Sequence, residues 1–181
     1  MSDSHEHFMR LALAEAEKGL GRTSPNPAVG AVIVRGGEVI GCGHHERAGG
    51  PHAEVNALAD ARQRGHDPQG ATLYVTLEPC NHRGRTPPCT EAVLAAGIAE
   101  VVIGAGDPNP QVAGGGAAYL AARGVRIASG VLRDDCRRLI LPFAKHARYG
   151  LPWVTLKAGM SLDGKISRQR GQGGAITGPE T

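Results

Sequence analysis

The stretch ATLYVTLEPCNHRGRTPPCTEAVLAAGIAEVVIGAG, Ala71 to Gly106, decides the fold class. Its first seven residues, Ala71 to Leu77, are an apolar run of strand length, rich in β-branched and aromatic side chains, as expected of a buried strand. Pro88 suits a first helical turn, where its missing N–H costs nothing. CTEAVLAAGI (89–98) then reads as a helix and EVVIGAG (100–106) as a second strand. Downstream, GGAAYLAARG and VRIAS repeat the helix–strand pattern. Upstream, AVIVRGGEVIGCG places two apolar runs around Arg35, Gly36, Gly37 and Glu38, the pattern of a hairpin. His52–Gly65 reads as a helix with Val55, Leu58 and Ala59 facing inward, and His7–Lys18 as a first helix stopped near Gly19. Alternation at these loop lengths argues an α/β fold, with helices on both faces of a mixed or parallel sheet.

RDDCRRLILPFAKHARYG (133–150) is expected to add a helix with a charged face, broken near Pro142. The chain then turns at Leu151–Pro152 into WVTLKAG, read as a further apolar strand. This places a boundary near residue 150, with domains at 1–150 and 151–181. Thirty residues alone cannot form a core, so the second is an incomplete domain. An apolar edge strand without its sheet makes self-association into a homo-oligomer the matching expectation.

At 181 residues, with 41% hydrophobic and 20% charged side chains, the chain has the composition of one well-filled globular domain. Its formal charge of +3 is compatible with an anionic ligand and falls far short of a nucleic-acid-binding surface. No apolar run approaches the roughly 20 residues of a membrane span. MSDSHEHFMR lacks the basic and apolar regions of an export signal, so the expected location is cytoplasmic, without membrane or nucleic-acid partners. Cys42 and Cys136 are then ordinary reduced thiols.

Cys80 and Cys89 differ from these two. With His52 they supply one nitrogen and two sulfurs, the donor set of a catalytic zinc that keeps a fourth position open. Helix N-termini favour a thiolate beside them. Glu54, two residues from His52, does not share its helix face and is assigned to the water rather than to the metal. H-x-E followed by P-C-x(n)-C is the pattern of zinc deaminases, in which the glutamate shuttles protons. The usual gap between the cysteines is two residues, whereas here it is eight. A closed structural zinc site with His82 as fourth ligand is the alternative, and Glu54 favours catalysis.

SPNPAVGAVIV, AGGPHAEVNAL, VTLEPCNHRGRTPPC and GDPNPQVAGGG together resemble the deaminase domain of the bifunctional riboflavin-biosynthesis deaminase/reductase family, which has the same eight-residue gap. PWVTLKAGMSLDGKIS and ITGPE are similar to the opening of that family's reductase domain. The resemblance implies a three-layer α/β/α sandwich of cytidine deaminase type with a mixed five-stranded sheet. It implies zinc-dependent hydrolytic deamination of 2,5-diamino-6-(5-phosphoribosylamino)pyrimidin-4-one, with Glu54 as proton shuttle and one Zn2+ on His52, Cys80 and Cys89. Asn26 would orient the pyrimidine, and His45, His82, Arg85, Asp107 and Asn109 would contact the base or ribose phosphate. The plain alternatives are turn residues for Asn26, Asp107 and Asn109, exposed loop histidines for His45 and His82, and a solvated surface cation for Arg85.

Lys157, Gly159 and Asp163 match the reductase pattern, and Lys157 and Gly159 are the candidate cofactor contacts. Gly173 and Ala175 replace the usual Ser and Trp before IT, and NADPH would require a complete reductase domain. GAGDPNPQ lacks the third glycine of a dinucleotide loop, since Asn109 stands in its place. Two other readings remain: a zinc deaminase acting on free bases, nucleosides or tRNA, and a non-catalytic zinc-stabilised module.

Overall fold

The structure is a computed structural model, described for residues 2–82, 87–109 and 115–166. Helix α1 (Ser2–Glu17) precedes the hairpin β1 (Gly30–Arg35) and β2 (Glu38–His44). The chain continues through α2 (Ala53–Gln63), β3 (Thr72–Leu77), α3 (Cys89–Ala95), β4 (Glu100–Ala105), α4 (Gly116–Ala121) and β5 (Arg126–Ser129). It closes with α5 (Arg133–Leu139) and α6 (Leu141–Tyr149). The hairpin turns on Gly36 and Gly37, with φ of 61° and 87°. Two successive positive φ values are what a tight turn between right-twisted strands requires, and glycine adopts them without a Cβ penalty.

The strands lie in the order β2-β1-β3-β4-β5. β1 pairs antiparallel with both β2 and β3, while β3–β4 and β4–β5 are parallel. The sheet is therefore mixed and five-stranded, and its side chains alternate between two cores, as the two-residue period of a strand dictates. Ala31, Ile33, Leu73, Val75, Val101 and Ile103 face α2, α3 and α4. Val32, Val34, Tyr74 and Val102 face α1 and Cys136 of α5. The expected three-layer α/β/α sandwich is the observed one.

Three expectations need correction. α1 starts at Ser2 and not at His7, because its first turn, Ser2–His5, carries no apolar periodicity to signal it. In α2 the buried residues are Ala53, Glu54, Ala57, Leu58 and Ala61, so Ala59 points outward and Val55 is only half-buried. The cause is a close approach to β2, where an added Cβ at Gly41 would lie 2.5 Å from the Ala57 carbonyl oxygen. That separation admits only the alanine-lined face of the helix. The break expected near Pro142 is observed: α5 ends at Leu139, and Pro142 opens α6. WVTLKAG forms no strand: Trp153 to Gly159 is exposed and joins none of the five strands. A strand needs a neighbour to satisfy its backbone groups, and β2 and β5 form the described edges without it.

Candidate metal centre and ligand cavity

The site is built where β3 ends and two helices begin. Leu77 is the last residue of β3, and Cys80 follows three residues later. Its carbonyl accepts a hydrogen bond from the Thr90 N–H at 3.3 Å, and its Sγ accepts one from the Cys89 N–H, also at 3.3 Å. The Thr90 hydroxyl, fully buried, donates to Asn81 Oδ1 at 3.0 Å. These bonds pin both ends of the loop together. Eight intervening residues therefore bring the two thiols as close as a much shorter gap would. Pro88 occupies the N-cap of α3, and Cys89 is its first helical residue.

His52 is the N-cap of α2, extended at ψ 167°. α2 is held on β2 by two side-chain bonds besides the glycine contacts: Asn56 Nδ2 donates to the His44 carbonyl at 2.8 Å, and the Cys42 N–H donates to Asp60 Oδ2 at 2.8 Å. This seating carries His52 Nδ1 to 3.2 Å from Cys89 Sγ and 3.6 Å from Cys80 Sγ. Among the described residues, His52, Cys80 and Cys89 form a group whose ligand atoms all lie within 4.8 Å of one another. Tetrahedral zinc, with bonds of about 2.0 Å to nitrogen and 2.3 Å to sulfur, spaces such donors roughly 3.6 to 3.8 Å apart. The donor set and its spacing fit zinc, and Glu54 stands outside the ligand group.

The electrostatics are those of a cation site. Cys80 is pulled down to about 4 by hydrogen bonding from Cys89 and His52, so it is a thiolate, whereas Cys89 is held protonated by its bond to Cys80 and by burial. His52 is raised through its bond to Cys80. Glu54 is 3% exposed, and burial pushes its carboxyl above the ordinary range, since the charged form loses its hydration.

A cavity of about 460 Å³ opens onto this group. Of the sequence-derived candidates, Asn26, His45, His82, Asp107 and Asn109 all line it, together with His52, Glu54 and Cys80. His45 is not an exposed loop histidine. It is 2% exposed, its Nδ1 lies 2.9 Å from the Pro51 carbonyl and its Nε2 3.0 Å from Asn26 Nδ2. A carbonyl only accepts, so Nδ1 carries the proton and Nε2 accepts from the Asn26 amide. Burial lowers the basicity of His45 and so favours this neutral form. Asp107 Oδ1 accepts from the Asn109 N–H at 2.8 Å. The turn reading and the cavity reading thus hold together for this pair. His82 is exposed at the rim.

Arg85, Gly173 and Ala175 lie outside the described residues, as do the segment 110–114 of GDPNPQVAGGG and the ITGPE stretch. Lys157 and Gly159 are exposed and line neither this cavity nor its neighbour. Glu78 and Phe143 are among the cavity residues that escaped the sequence reading. Glu78 accepts from the Ala117 N–H at 3.0 Å, tying the metal loop to α4. Phe143 reaches the cavity from α6. The position of Glu78 two residues before Cys80 was a usable signal. Phe143 had none, because it lies 54 residues beyond Cys89, on a helix that no motif ties to the site.

Residues 2–105 match the model of the cytidine and deoxycytidylate deaminase zinc-binding region, more than half of the chain. The chain belongs to this family. Within it, the chain is 49% identical over 175 residues to riboflavin biosynthesis protein RibD of Escherichia coli (strain K12), covering 97% of this chain and 47% of that protein. It is 48% identical over 172 residues to the chloroplastic riboflavin biosynthesis protein PYRD of Zea mays, covering 95% and 43% respectively. The crystal structure of a diaminohydroxyphosphoribosylaminopyrimidine deaminase/5-amino-6-(5-phosphoribosylamino)uracil reductase from Thermotoga maritima superposes with a TM-score of 0.92. It is 46% identical and covers 98% of this chain and 50% of that one. The chain thus spans about half the length of the curated relatives it matches. No helix among the described residues is long and apolar enough to cross a membrane.

Proposed function

We propose that this deaminase-family chain hydrolyses 2,5-diamino-6-(5-phosphoribosylamino)pyrimidin-4-one to 5-amino-6-(5-phosphoribosylamino)uracil and ammonia. The observation that carries the reading is the buried Glu54 carboxylate, placed beside a three-donor nitrogen and sulfur set at the floor of a cavity. His52, Cys80 and Cys89 would hold one zinc ion, which would supply the Lewis acidity that makes water nucleophilic near neutral pH. Glu54 takes a proton from the attacking water and passes it to the ring nitrogen beside the reacting carbon, then takes the remaining hydroxyl proton and gives it to the amine as it leaves. Water is consumed and ammonia released, so the step balances without a redox partner.

Asn26, His45, His82, Asp107 and Asn109 of the cavity, and Arg85 of the metal loop by its resemblance, orient the substrate. Asn26, fixed by neutral His45, meets the pyrimidine, while His82, Arg85, Asp107 and Asn109 serve the ribose phosphate. The resemblance to RibD proteins over 97% of this chain supports that substrate class. Residues 1–150 constitute the deaminase unit and 151–181 the opening of a reductase domain. NADPH chemistry would require a complete reductase domain.

The test is ammonia release from the phosphorylated diaminopyrimidine by zinc-loaded protein, with cytidine and the dephosphorylated compound as controls. Glu54→Gln should keep its zinc and lose about 10²- to 10⁴-fold in kcat. Equal turnover by Glu54→Gln would remove the carboxylate from the chemistry. A preference for cytidine would move the chain to another substrate class.

A further inference from the structure

A second cavity of about 440 Å³ lies beside the first, between the turn at Thr23–Ala28 and the α5–α6 junction. Pro25, Asn26, Pro27 and Phe143 line both cavities. The ring of Phe143 and the Pro25–Pro27 turn are therefore the partition between them. Helix α6, which carries Phe143, has no fully buried residue of its own. It reaches the opposite rim through Arg148, whose Nε donates to the Pro108 carbonyl at 3.3 Å. Five residues of helix separate Phe143 from Arg148, a rise of about 7.5 Å. α6 thus spans from the turn that holds Asn26 to the turn that holds Asp107 and Asn109.

We propose that Phe143 is a specificity-determining wall of the ligand cavity, which limits the size of the ring substituent that a substrate can carry. Arg148 acts as a positioning residue that fixes the wall against the far rim. The inference rests on the pyrimidine deaminase reading and deepens it. An aromatic ring between two cavities presents a flat apolar face to a planar heterocycle on one side and fills space on the other. Truncating it joins the two cavities, so a substrate loses its confinement and a bulkier one gains room. The metal group and Glu54 belong to β3, α2 and α3, which α6 does not build. Loss of the wall should therefore change binding and selectivity and leave the chemical step intact.

The experiment uses the zinc-loaded full chain as wild type, Phe143→Ala and Phe143→Leu, with the parent diaminopyrimidine phosphate and its 5-N-benzyl analogue as substrates. Phe143→Ala should raise the parent KM by about tenfold. Its kcat should stay within about threefold of wild type. The preference for parent over benzyl analogue should shrink by about tenfold, with Phe143→Leu intermediate. An unchanged preference overturns the proposal, as does a loss confined to kcat.

A second readout needs no turnover: the rate at which 1,10-phenanthroline, a rigid bicyclic chelator, extracts the zinc. Phe143→Ala should release zinc several-fold faster than wild type, with Phe143→Leu between. If the wild type releases no ammonia from the parent compound, the deaminase assignment falls. The chelator rates then decide the wall, and equal rates in all three proteins overturn it.

Discussion

Gly41→Ala tests how α2, and with it His52 and Glu54, is set in place. A Cβ at Gly41 would lie 2.5 Å from the Ala57 carbonyl oxygen and 2.7 Å from Ala61 Cβ, whereas ordinary contact begins near 3.4 Å. The helix must therefore retreat from β2 by the difference, 3.4 − 2.5 = 0.9 Å. Overpacking of this kind costs about 1 to 3 kcal/mol. Alanine recovers about 0.4 to 1 kcal/mol by restricting the unfolded chain. The net loss of about 0 to 2.6 kcal/mol corresponds to a melting temperature lower by up to roughly 10 °C for a chain of this size.

The effect on the site is sharper than the effect on stability. Ala57 and His52 belong to one rigid element, and metal–ligand distances tolerate errors of only about 0.2 Å. A shift of 0.9 Å should weaken zinc binding by about tenfold or more, in the range seen when groups supporting a metal site are lost. Thermal melting and zinc competition measure the two effects, with Gly159→Ala as control, since nothing lies within 4 Å of a Cβ there. If Gly41→Ala melts with the wild type and holds zinc as tightly, the seating argument is wrong.

Zinc addition should raise the wild-type melting temperature through binding to the native state alone, by about 2.7 kcal/mol at 100 times the dissociation constant. Cys89→Ala should abolish that shift and Cys42→Ser should preserve it, because Cys42 is not in the donor group; a zinc response retained by Cys89→Ala would break the assignment. A pH dependence follows from His45, whose folded-state pKa is lowered by burial. Below the unfolded value of about 6.5 the unfolded chain binds the extra proton, so stability is fully present above that pH and falls as pH drops toward the folded value. Urea melts between about pH 5 and 8 should show this loss in wild type and a shallower one in His45→Gln. Identical slopes would mean that His45 titrates as freely in the fold as outside it.

The donor group was legible because local rules place it: a strand end, a helix N-cap and the first residue of another helix are all visible in the pattern from Ala71 to Gly106 and at Pro51–His52. His45 was legible as a candidate near the metal, but its burial was not. Its burial comes from Asn26, nineteen residues earlier, and from Pro51, and no periodicity reports such a meeting. The strand read into WVTLKAG failed for a related reason: apolar alternation describes a strand's faces, while its existence depends on a neighbour that the chain must supply.

The amino-acid sequence by itself determined the elements of the sandwich up to Tyr149, the three ligand types and the carboxylate beside them. Each depends on residues within one turn of helix or one strand. Tertiary structure alone decided the order β2-β1-β3-β4-β5, the turning of Glu54 to the interior, and the arrival of Phe143 at a cavity built mostly from the first 110 residues. Those outcomes depend on which surfaces approach closely. Gly41 and Gly43 let α2 approach β2, and the α5–α6 break redirects the chain over the site. Packing between distant segments selects such approaches, and a local pattern carries no record of them.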